Sequence, residues 1–244
     1  MAKLRLAAAV LALALACGCS RVFLPHSVDA EMGRKADAEL AGSFKPADDA
    51  PALAYIAGLG DRVAKHSERP DLHFRYVLVH SDSINAIASP SATIYVTSGL
   101  LYAMKNDEIA VAGVLGHEMA HIIQRHATEK LQNRLGLKAL MLFFGGDQFF
   151  GGAISDTVSD LIGVKYSREM ELEADLCAAR YLLAMGVNAS RVDEFLRRLQ
   201  EIPELAGSGR GYMDEHPPLD ARVANIERYL QAMHSRNKRN SSGT

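Results

Sequence analysis

The chain has no tryptophan and only three cysteines among its 244 residues, Cys17, Cys19 and Cys177. Without indoles the fold cannot rest on large aromatic anchors. Two of the thiols stand at the end of an N-terminal apolar run, so no disulfide framework is available. Cys177, inside a helical pattern with no basic neighbour evident, is expected to pack. Charge of one sign is also scarce: 27 Lys and Arg stand against 29 Asp and Glu. No basic patch stands out, which argues against a nucleic-acid partner. There is no Gly-x-Ser-x-Gly elbow and no phosphate-loop glycine pattern, which disfavours a serine hydrolase or a nucleotide enzyme. Past the N-terminus, the apolar stretch Leu135–Phe144 is far shorter than the roughly 20 residues of a membrane span.

What is present begins with a targeting segment. Lys3 and Arg5 precede an apolar core, Leu6–Ala16, that ends in Ala16-Cys17-Gly18-Cys19-Ser20. Residues 1–19 read as a signal peptide ending in a lipoprotein-like cleavage site, with Cys17 or Cys19 as the lipidated residue. An ordinary signal peptide cut nearby is the alternative. Neither Gly18 nor Ser20 is the Asp that resembles an inner-membrane retention signal. The expectation is therefore a bacterial envelope protein, an outer-membrane lipoprotein facing the periplasm. Residues 20–234 form one domain and 235–244 a disordered tail carrying Arg236, Lys238 and Arg239.

Apolar spacing predicts helices over 28–41 (Met32, Ala36, Leu40), 52–66 (Leu53, Ile56, Leu59, Val63), 192–202 and 219–233. Strands are expected only over 72–79, 83–90 and 92–97, where branched and aromatic residues alternate. Asn85 and Ala86 open a candidate edge strand, beside which an extended peptide can lie. Residues 131–165, with Phe143, Phe144, Phe149 and Phe150 bracketed by glycine pairs, read as core packing, a lid over the cleft or a surface resting on lipid. The sum is an α+β chain, predominantly helical, with a small sheet.

One stretch organises the rest. Asp107 can cap a helix that is apolar or small on all sides from Ile109 to Ile123 except at His117, Glu118 and His121. Residues four apart on a helix project about 40° from each other, so His117 and His121 can reach one ion. Glu118, on the flank of that side, can face the water such an ion activates. Burying two imidazoles and a carboxylate without partners is costly, and a zinc ion satisfies all three. His126 falls almost opposite His117 on the wheel and reads as a solvated or packing histidine.

A zinc site with an open position needs a third protein ligand. The helix from Arg168 to Leu183 offers Glu169, Glu171, Glu173 and Asp175. Glu169 and Glu173 cluster with Arg180 on one face, which reads as solvated. Glu171 and Asp175 fall among Leu172, Ala178, Ala179 and Leu182, where an unpaired acid is penalised. Glu171 is thus the expected ligand, and Asp175 can orient a bound imidazole through its other nitrogen. Arg168 projects to the same side and can neutralise one acid. In the loop before Pro217, His216 and Tyr212 can hold an oxyanion. His216 can instead ligate the metal in a resting state. Arg222, on the following helix, can reach either the site or the neighbourhood of Asp220.

His117-Glu118-x-x-His121, followed some fifty residues later by Glu171-Leu-Glu-Ala-Asp175 after Ser167-Arg168, resembles the gluzincin metallopeptidases of the CAAX prenyl protease and HtpX type. The likeness runs from about Asp82 to Arg222 and is strongest to a soluble bacterial lipoprotein branch. It implies a zincin-like fold, one Zn2+ held by His117, His121 and Glu171, and Glu118 as general base. A His-Pro near the C-terminus is a further point of similarity. The resemblance implies a zinc endopeptidase that degrades misfolded or misassembled envelope proteins. The spanning helices of the prenyl protease are missing, which weighs against prenylated substrates. The alternative function is a periplasmic chaperone or assembly factor for outer-membrane proteins, with a structural or regulatory metal.

Overall fold

A computed structural model describes residues 24–104, 107–133, 166–202, 216 and 218–241. The signal segment with Cys17 and Cys19, residues 134–165 and Tyr212 lie outside the described residues. The order is α1 (His26–Ser43), α2 (Ala50–Ala64), β1 (Arg75–Val79), β2 (Ala86–Ser89), β3 (Thr93–Thr97), α3 (Ser98–Ala103), α4 (Glu108–Ile123), α5 (Arg168–Ala184), α6 (Glu194–Gln200) and α7 (Leu219–Ser241). A single 3-10 turn, Ala189–Arg191, precedes α6. The architecture is α+β and predominantly helical, with one small sheet.

The sheet has the order β1-β3-β2. β2 and β3 form the hairpin expected around Pro90, paired from Ala86↔Val96 to Ser89↔Thr93, and β1 runs parallel to β3. Parallel pairing of β1 is decided by tertiary packing: the strand must lie on the far side of β3 from the hairpin. Pro46 bridges the outer side of β1 at Val79, so among the described residues β2 is the barer edge. Asn85 spends its own backbone on the hairpin. Its N–H donates to Thr97 Oγ1 at 3.0 Å and its carbonyl accepts from the Thr97 N–H at 3.1 Å. Antiparallel alternation then turns the backbone groups of Ala86 outward. Asn85 and Ala86, the two residues expected to open the edge, are both buried, and the half-buried residues of β2 are Ile87 and Ala88.

Helix α4 is the centre of the fold. Every residue from Ala110 to His121 is buried. The Asp107 side chain accepts from the N–H groups of Ile109 and Ala110 and so caps it. It packs on α5 and also on α2, α6 and β2. Two glycines allow the closest of these contacts. A Cβ at Gly113 would fall 2.5 Å from the Phe195 ring, and one at Gly116 would fall 3.3 Å from Ala178 Cα. The apolar faces of the outer helices bury Val28, Met32, Ala36 and Leu40 from α1 and Ile56, Leu59 and Val63 from α2, while Leu53 is exposed.

The last helix differs from expectation. It runs on to Ser241, through most of the segment expected to be a disordered tail. No glycine or proline interrupts residues 219–241. Among the described residues no helix is long and apolar enough to cross a membrane.

Candidate metal centre

Helices α4, α5 and the residue just ahead of α7 meet at one cluster. His117, His121, Glu171 and His216 each offer a ligand atom, all within 4.8 Å of one another, and all four are buried. His117 and His121 come from consecutive turns of α4, and their Nε2 atoms are 3.0 Å apart. Glu171, in the first turn of α5, puts Oε2 3.5 Å from His117 Nε2 and Oε1 3.6 Å from His121 Nε2. His216 Nδ1 lies 2.5 Å from Glu171 Oε2. Glu118, beside His117 on α4, is buried as well.

These residues fit a divalent cation. The Glu171 Oε1 atom is buried without a hydrogen-bond partner among the described residues, although an imidazole nitrogen lies near it. Donors about 2.0–2.1 Å from a tetrahedral ion stand about 3.3–3.4 Å from each other. The His117–Glu171 and His121–Glu171 separations are close to that edge length. Imidazole and carboxylate together are a zinc donor set.

Behind the cluster stands a second buried layer. Asp175, one turn after Glu171, places Oδ1 3.0 Å from His117 Nδ1. Arg222 on α7 donates to both its oxygens, from Nε at 2.8 Å and from Nη2 at 2.6 Å. Arg222 is fully buried, whereas Arg168 is exposed. The neutralising role expected of Arg168 therefore falls to Arg222. Arg168 opens α5, where the helix start still faces solvent. Sequence left Arg222 undecided, yet a signal was there. It sits at 222 in a stripe of buried apolar residues, Leu219, Val223 and Ile226, and an arginine in such a stripe needs a buried acid.

Electrostatics follow from this packing. Burial and Arg222 work to lower the His117 ring, but its hydrogen bonds with Asp175 and Glu171 prevail and hold it up to about 9. Burial and the neighbouring His117 push His121 well down. Burial lowers His216 to about 4 against the pull of Glu171. Burial opposes ionisation of Glu171 and Asp175, yet His216 and His117 around the first, and Arg222 beside the second, hold both carboxyls below their ordinary range. Without an ion the cluster keeps its carboxylates charged and a proton on His117, and a bound metal would displace that proton.

Other expectations change. Glu173 is not on an open face: its Oε2 is 3.6 Å from Nε2 of the buried His126. Arg180 pairs with Glu68 at 2.5 Å rather than with Glu169 or Glu173. It also lies 3.1 Å from the Cys177 sulfur, so that thiol has a basic neighbour one turn on. Burial nonetheless raises the thiol, which keeps packing as its role. Tyr166, which sequence did not single out, stacks on His121 with ring centroids 4.1 Å apart.

Comparison with known proteins places the chain among metallopeptidases. The chain is 23% identical over 214 residues to the beta-barrel assembly-enhancing protease of Escherichia coli (strain K12), an alignment covering 83% of this chain and 44% of that protein. It is 30% identical over 156 residues to the mitochondrial metalloendopeptidase OMA1 of Arabidopsis thaliana, covering 63% of this chain and 31% of the relative. With the metalloprotease LoiP of Escherichia coli (strain K12) the identity is 27% over 162 residues, 64% of this chain and 63% of that one. The chain spans less than half the length of the first of these relatives. None of the three is a prenyl protease, so the narrower likeness read from the sequence gives way to a broader one. The model of peptidase family M48 matches residues 52–230, a stretch that takes in the helix pair, the buried carboxylates and the His216 turn, and the chain belongs to that family.

Proposed function

We propose that the protein is a zinc-dependent endopeptidase of the bacterial envelope, within a soluble lipoprotein branch of its family. The observation that carries this reading is the convergence of two imidazoles from α4 and a carboxylate from α5 on one buried point. His117, His121 and Glu171 would hold the ion. Zinc bound there supplies a Lewis acid that polarises a carbonyl and acidifies water. Glu118 takes the proton from the attacking water and passes it to the leaving amine. Asp175, fixed by Arg222, holds the His117 ring in one tautomer. His216 either steadies the oxyanion or serves as a further donor in a resting form. Its 2.5 Å contact with Glu171 is a hydrogen bond, shorter than the edge between two ligands of one ion, so it brings His216 to the site without choosing between the two roles. An extended substrate would lie along the β2 edge, where Ile87 and Ala88 are half-buried.

Substrates under this reading are unfolded or misassembled envelope proteins, met by a domain tethered to the outer membrane through lipid on Cys17 or Cys19 and facing the periplasm. The name of the Escherichia coli relative, which joins barrel assembly to proteolysis, supports that choice. Glu118→Gln tests the chemistry. The variant should retain zinc and lose casein cleavage by about 10²–10⁴-fold, the usual contribution of a positioned base. Undiminished cleavage would eliminate the mechanism. Full envelope-assembly function in the same variant would instead favour a chaperone with a structural metal.

A further inference from the structure

We propose that His126 is a positioning residue for His121, brought to it by a break in the helix that carries the ligands. Helix α4 ends at Ile123, and Arg125 adopts φ 59°. That left-handed conformation costs a side-chain-bearing residue about 1–2 kcal/mol, so something must hold it. On a continuous helix, residue 126 would project about 140° away from residue 121. With the break, the buried His126 folds back and its Nδ1 lies 2.8 Å from His121 Nδ1. The rings meet edge to face, with centroids 4.9 Å apart.

The first turn of α1 holds the break. Arg125 Nε donates to Asp29 Oδ2 at 2.8 Å, and Nη2 donates to the carbonyls of Leu24 at 2.7 Å and Pro25 at 3.2 Å. The Thr128 hydroxyl donates to the other oxygen of Asp29. Arg125 and Asp29 are a largely buried pair, and their partners come from both sides of the break.

The tautomers follow from the ligand geometry, and at this point the inference rests on His121 being a metal ligand. Its Nε2 faces the cluster, so in the neutral ring the proton belongs on Nδ1. That N–H donates to His126 Nδ1. His126 then carries its own proton on Nε2, which faces Glu173 Oε2 at 3.6 Å. The 2.8 Å contact between His126 and His121 fixes which nitrogen of His121 is offered to the ion, and Glu173, at 3.6 Å, adds only its charge nearby. Asp175 does the same for His117. Loss of such an outer partner typically weakens metal binding 10–100-fold.

The test measures zinc affinity by chelator competition, and the visible absorption of the Co2+-substituted protein, in wild type, His126→Leu and His126→Asn. The Leu variant should bind zinc about 10–100-fold more weakly and shift the cobalt band. Asn places an acceptor oxygen near the position of Nδ1 and should restore most of the affinity and the wild-type band. If His126→Leu does not fold, His126→Ala, which opens space rather than filling it, takes its place. Zinc affinity of the Leu or Ala variant within about twofold of wild type, with an unchanged band, overturns the proposal; so does an Asn variant as weak as Leu. A wild-type protein that binds no zinc would instead overturn the metallopeptidase reading beneath it.

Discussion

Asp37 and Glu171 are both carboxylates ringed by polar side chains, one in α1 against the sheet and the other in α5 against α4. Around Asp37 the neighbours are donors. Arg75 Nη2 at 2.7 Å and the Ser91 hydroxyl at 2.8 Å reach one oxygen, and the Tyr95 hydroxyl at 3.0 Å reaches the other. The charge is neutralised and the lone pairs are used, so the knot fastens α1 to the hairpin and asks for nothing more. Around Glu171 the neighbours are imidazoles at 2.5–3.6 Å, and one carboxylate oxygen has no hydrogen bond. Those imidazoles can all turn lone pairs toward the carboxylate only when a cation stands among them. A saturated ring of donors is structure; a convergence of lone pairs is a site for an ion.

The sharpest way to break that contrast is to remove each carboxylate. Glu171→Ala should leave zinc well below one ion per chain by elemental analysis and abolish casein cleavage. A lost ligand costs more than the 10–100-fold typical of a lost outer partner. Full zinc retention would make the two carboxylates equivalent and sink the distinction. Asp37→Ala should do the opposite, lowering stability in urea by about 1–3 kcal/mol as Arg75 and Tyr95 lose their acceptor, with zinc content unchanged.

A smaller effect belongs to the Asp37 knot alone. Burial and the Asp37 carboxylate push the Tyr95 hydroxyl up to about 12. The folded-state value lies above the ordinary 10, so the native state favours the protonated phenol. The resulting stability is fully present below pH 10 and is lost as pH rises through about 12. Ultraviolet titration of wild type beside Tyr95→Phe should show one late phenol missing from the variant, and the variant's alkaline unfolding should lack that component. A Tyr95 that titrates near 10 would mean the knot is looser than its distances indicate.

Legibility in the sequence followed the range of the forces involved. His117, His121 and the acids of α5 were readable because a single helix sets their spacing, and a wheel separates Glu171 and Asp175 from Glu169. Asp107 was readable as a cap for the same reason; Ser167, which accepts from the Met170 N–H, was not singled out as one. His126 was misplaced because the wheel was carried past Ile123, where Arg125 leaves the helical region. Nothing near Arg125 announces that turn, since its partners Asp29, Leu24 and Pro25 lie about a hundred residues earlier. Arg168 was chosen for the role of Arg222 because the wheel puts it on the same side as the acids, while burial chose the arginine of another helix.

By itself the sequence determined the helix faces, the buried His and Glu of the central cluster and the three-strand inventory, because periodicity and the cost of burying charge act within a few turns. Tertiary structure decided which arginine neutralises Asp175, how β1 pairs with β3, and that His126 meets His121. Each of those depends on segments far apart in the chain, where the energy of a contact is known only once both partners have been brought together.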